Sequence, residues 1–73
     1  MKDVEMKIIE KIRDLDHRVD MMRKRIVQII HEAMTARTGW NKEMLEEMNI
    51  LEIKIKEDEK FIKFLKDLLK DLE

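Results

Sequence analysis

The side chains with most chemical potential in this chain stand close together in its first half. Asp14, Asp16, His17 and Asp20 fall within two helical turns. His17 and Asp20 are three apart and Asp16 and Asp20 four apart, spacings that put each pair on one helix face. Such a face could offer imidazole and carboxylate to a divalent ion. A metal site in a helix bundle, however, repeats a Glu-x-x-His motif on facing helices, and no His occurs after His31. These residues are expected to be solvated charge, and neither a metal nor any other cofactor is expected.

The adjoining stretch "RVDMMRKR" sets Arg18, Arg23, Lys24 and Arg25 against a single acid, Asp20. It uses Arg where the second half of the chain uses only Lys. The guanidinium fork suits carboxylate or phosphate oxygens held two at a time. These four residues are therefore candidates for binding a phosphate, a nucleotide, a nucleic acid or an acidic partner. The competing expectation is internal pairing with the locally acidic segment 52–59, which holds Glu52, Glu57, Asp58 and Glu59.

The common nucleophile arrangements are missing, although a helix bundle can catalyse with Arg and Glu alone. The chain lacks Ser, Cys and Tyr, so neither a Ser–His–Asp nor a Cys–His arrangement can be assembled. A single Gly excludes a glycine-rich phosphate loop. His31, near Val27, Ile30 and Met34, reads as an interface residue whose charge could make assembly pH-sensitive. No catalytic residue is assigned, and the expectation is a protein that is not an enzyme.

The elements that carry these residues are helical. Of 73 residues 45% are charged, Pro is absent, and Ile, Leu and Met supply most of the remainder, a profile of long helices or a coiled coil. The net charge of −1 demands no polyanionic partner. No apolar run approaches membrane-spanning length, and acids occupy the N-terminal stretch where a signal peptide needs apolar residues. A soluble, cytoplasmic protein without a membrane partner is expected. Lack of Cys removes disulfides as a means of stabilising so small a core.

Periodicity then sets the architecture. Ile8, Ile12, Leu15, Val19, Met22, Ile26, Ile29, Ala33 and Ala36 alternate spacings of four and three, the seam pattern of a coiled coil. Met44, Met48, Leu51, Ile55, Asp58, Ile62, Leu65, Leu69 and Leu72 repeat it, with Asp58 the one polar member. Folded back antiparallel, the two seams match when the numbers of facing residues add to 77. Ile8 then meets Leu69, Leu15 meets Ile62, and Ala33 meets Met44. That register centres the turn between Thr38 and Gly39, at the only Gly in the chain.

Gly39 can take positive φ after the first helix, and Asn41 is a suitable N-cap for the second. Trp40 and Leu45 then stand where a hydrophobic staple forms. Asp58 falls opposite Val19, with Arg18, Arg23 or Lys54 near enough to pair with it. The expected fold is all-α: one helical-hairpin domain over residues 1–73, with helices at about 3–37 and 42–72 and a turn at 38–41.

A surplus of apolar residues remains outside the seam. Met6, Ile9, Val27, Ile30 and Met34 lie on the first helix, and Ile50, Ile53, Phe61, Phe64 and Leu68 on the second. A solitary hairpin would expose them. Self-association is expected, most simply as a dimer of hairpins forming a four-helix bundle, with a higher homo-oligomer as the other option. Val27, Ile30, Met34, Trp40, Leu45, Phe61, Phe64 and Leu68 are the candidate contact residues. Most surplus residues follow a seam position on the first helix and precede one on the second, offsets that point to opposite faces. The functional expectation is an interaction, assembly or regulatory module that binds itself and another protein. The alternative is an anion or nucleic-acid binder using the basic stretch at 18–25. No residue motif ties the chain to a known family.

Overall fold

The computed structural model describes residues 2–72, which form two helices, α1 (Lys2–Thr35) and α2 (Lys42–Leu72). They pack antiparallel into a rod of 57 × 14 × 13 Å. Neither helix contains Pro or Gly, so nothing interrupts the backbone ladder. Asp3 and Glu5 stand in the first turn of α1, Glu43 in the first turn of α2 and Lys70 in its last, all favourably placed against the helix dipoles.

The interior is the expected seam. Ile8, Leu15, Val19, Ile55, Ile62 and Leu65 form the buried cluster, with Ile12, Met22, Ile26 and Leu69 packed against it. Ile29 and Ala33 are buried nearer the corner, and Leu15 and Ile29 are the most enclosed large side chains. A two-helix rod offers only one face of each helix for burial, and the core is accordingly one side chain deep. The seam is shorter than expected at both ends. Ala36 lies beyond α1 and is exposed, and Leu72, in the final turn of α2, remains open.

The first helix also ends earlier than the expected residue 37. Thr35 turns its hydroxyl back on the helix, where Oγ1 donates to the carbonyls of His31 and Glu32 at 2.9 and 3.2 Å. This local bond competes with continued helix. The chain then tightens, with the Gly39 amide donating to the Ala36 carbonyl at 3.1 Å. Gly39 has φ of +67°, a conformation that costs other L-residues a clash with Cβ. The left-handed residue thus sits one turn past the end of α1 rather than directly after it. Asn41 caps α2 as expected, its Oδ1 accepting from the Met44 amide at 2.9 Å.

Candidate interaction faces of the hairpin

Among the residues singled out for chemistry, the basic stretch is the one the fold organises most fully. Arg18 reaches across to Asp58 with two hydrogen bonds, Nε to Oδ2 at 2.7 Å and Nη2 to Oδ1 at 2.6 Å. Arg25 holds Glu47 the same way, at 2.6 and 3.0 Å. Arg23 donates to Glu59 at 3.2 Å, and the Lys24 ammonium lies 3.1 Å from Asp20 on its own helix. The three arginines therefore bind α2 to α1, two of them through bidentate forks.

Asp58 is the buried member of this set, at 8% exposure, within an otherwise apolar seam. Its carboxyl is held below the usual range, chiefly by the hydrogen bonds from Arg18. Burial opposes that shift, while the charges of Arg18, Lys11 and Lys54 support it. Glu47 is lowered in the same sense by Arg25. Correspondingly, donating to the carboxylates of Asp58 and Glu47 raises the pKa of Arg18 and Arg25.

Of the acids expected to pair with the basic stretch, Asp58 and Glu59 do so, whereas Glu52 and Glu57 take no part in these bridges. Glu47 fell outside the expected segment because the seam register places residue 52, not 47, opposite Arg25. A second signal was available: Arg25 and Glu47 each precede a seam residue, Ile26 and Met48. Arg23 and Glu59 each follow one, Met22 and Asp58.

These two bridges identify the flanks of the rod. Neighbouring residues are about 100° apart around a helix, so those preceding and following a seam position flank it on opposite sides. The Arg23–Glu59 pair shows that following residues of both helices share one side, and the Arg25–Glu47 pair that preceding residues share the other. Val27, Ile30, Met34 and Leu45 consequently lie on the Arg23 side, in the half of the rod near the corner. Phe61, Phe64 and Leu68 lie on the Arg25 side, in the half near the termini. Both groups are open: Val27 is 65% exposed, Met34 79% and Phe64 61%. Phe61 and Phe64 meet edge to face with centroids 6.3 Å apart. Trp40 and Leu45, the expected staple, keep 44% and 56% of their surface exposed.

A shallow recess on the Arg25 side is lined by Arg18, Met22, Leu51, Lys54, Glu57 and Asp58. It combines two cations with two carboxylates. Among the described residues no three His, Asp or Glu side chains converge as metal ligands, and Asp14, Asp16, His17 and Asp20 form no such group. No helix among them is long and apolar enough to cross a membrane. No protein family, characterised protein or solved structure matches the chain.

Proposed function

We propose that this chain is a non-enzymatic assembly or regulatory module that acts as a homo-oligomer, with pairs of hairpins joining four helices into a bundle. A further protein would be recognised through an exposed helix face. The observation that carries this reading is the pair of apolar stripes left on the surface of the rod. The hairpin exposes 6205 Å², whereas a compact monomer of its mass exposes about 4,900 Å². The difference is of the order that one protein–protein contact removes from each of its partners, roughly 800 Å². Sedimentation equilibrium at micromolar concentration is expected to give more than the monomer mass of 9.0 kDa, and a stable monomer would overturn the proposal.

The alternative, an anion or nucleic-acid binder, draws on Arg18, Arg23, Lys24 and Arg25. Each of these lies within 3.2 Å of a carboxylate oxygen, so a phosphate would have to displace those partners. A salt-dependent affinity for RNA or DNA, abolished by Arg23→Ala/Arg25→Ala, would favour that alternative over the protein-binding reading.

A further inference from the structure

We infer that copies of this chain associate head to tail, α1 of one against α2 of the next, in parallel and with each α1 residue beside the α2 residue 34 positions further along the sequence. The inference rests on the self-association reading and takes it as a higher homo-oligomer in place of a closed dimer.

The stripe on the Arg23 side of α1 and the stripe on the Arg25 side of α2 follow the same spacing. Val27, Ile30 and Met34 are separated by three and four residues, as are Phe61, Phe64 and Leu68. At an offset of 34 these become Val27 on Phe61, Ile30 on Phe64 and Met34 on Leu68. Continued toward the N-terminus, the same offset sets Arg13 beside Glu47, Asp20 beside Lys54 and Arg23 beside Glu57. Every charged pair is of opposite sign. Ile50 and Glu43 face Asp16 and Ile9, which are mixed contacts, and no like charges meet.

Neighbouring registers fail this test. A shift of one heptad to an offset of 27 opposes Asp16 to Glu43 and Asp20 to Glu47. The opposite shift, to 41, sets Arg13 on Lys54 and Asp16 on Glu57. Like charges placed directly opposite are penalised, and charge pattern of this kind is what specifies register in helix assemblies. Arg13, Lys54 and Glu57 form no salt bridge within the described hairpin, so each of the three pairs supplies at least one uncommitted charge.

The arrangement turns the second hairpin end for end, so the two rods overlap along nearly their whole length. Its α1 then lies against α2 of the first copy at the same offset of 34. That second seam places Arg18 beside Glu52, Arg25 beside Glu59 and Glu32 beside Lys66, again all of opposite sign. A register chosen from one pair of helices thus sets no like charges against each other in the other.

The two stripes lie on opposite sides of the rod. A copy that uses its α1 stripe still presents its α2 stripe, and the contact repeats rather than closing on itself. Such an interface is heterologous and builds an open stack.

Two exposed substitutions separate this geometry from a symmetric dimer. Val27→Asp removes the α1 stripe and leaves the α2 stripe intact, and Phe64→Asp does the reverse. In sedimentation the wild type is expected to grow beyond the dimer as concentration rises, and each variant alone to be monomeric. An equimolar mixture of the two variants is expected to form a 1:1 heterodimer and nothing larger, with unchanged helical circular dichroism throughout. A variant that dimerises by itself as well as the wild type does, a mixture that stays monomeric, or a wild type that stops at a closed dimer would each overturn the head-to-tail inference while leaving self-association in place. A monomeric wild type would overturn both.

Discussion

A carboxylate in an apolar seam is costly unless its charge is answered, and Asp58 has Arg18 for that purpose. Because the folded-state pKa is depressed, the unfolded chain binds the proton more readily than the folded one. The pair therefore contributes its full stability above the ordinary carboxylate value of about 3.9, and loses it as pH falls through the lower folded value. Glu47, held down by Arg25, adds to the same acid-side loss. Thermal melts followed from pH 7 to pH 2 should show a falling midpoint, with part of the fall abolished by Asp58→Leu. At pH 7 this variant should melt no lower than the wild type. A buried leucine contributes about 2 kcal/mol, and Arg18, already 60% exposed, can return to water. Asp58→Asn should melt below both, since it gives up the charged pairing and still buries a polar amide in the seam, without the apolar burial that leucine gains. If Asp58→Leu instead unfolded the hairpin, the pair would be an essential support that apolar burial cannot replace.

Each helix reports its local chemistry at the corner. Asn41→Ala removes the acceptor for the Met44 amide and should lower stability by about 1 kcal/mol. Gly39→Ala meets no neighbouring atom, so its cost is backbone strain alone, again about 1 kcal/mol. Urea titration of both variants would test this, and an unchanged midpoint for Gly39→Ala would mean that the corner has relaxed to negative φ. These features were legible in advance because seam period, glycine and cap residue are all local signals. The end of α1 was not, because apolar spacing carried Ala36 into the helix, whereas the chain tightens after Thr35 into the turn closed by the Gly39 amide on the Ala36 carbonyl. Glu47 was missed for a different reason. The seam register identifies residues at the same level along the rod, while a long arginine side chain bridges across levels along the flank.

For the whole molecule, a core one side chain deep leaves room for the proposed association to add to stability. A contact formed only by folded chains stabilises them by mass action, so the melting temperature should rise with protein concentration. A midpoint constant from micromolar to millimolar chain would contradict the proposed assembly. The fold was readable from the sequence because periodicity governs burial directly. The candidate site was readable only as a list of charges and surplus apolar residues. Their assignment to opposite flanks needed the ion pairs Arg23–Glu59 and Arg25–Glu47, which record how the helices sit against each other. The identity of a further partner has no comparable local signature, since helix faces of many kinds accept the same aliphatic and aromatic side chains.

The antiparallel register also gives the rod an order of formation. Joining Ala33 to Met44 closes a loop of 11 residues, whereas joining Ile8 to Leu69 closes one of 61. For independent closures that difference is worth about 1.5 kcal/mol of chain entropy. Folding is thus favoured to start at the corner and zip outward, and the end near the termini is the first to fray. Phe61, Phe64 and Leu68 belong to that late-forming half, and Val27, Ile30 and Met34 to the early one. In the proposed stack, each molecule's last-formed half would be clamped by the first-formed half of its neighbour, and lengthening the stack would slow the unzipping of every copy within it.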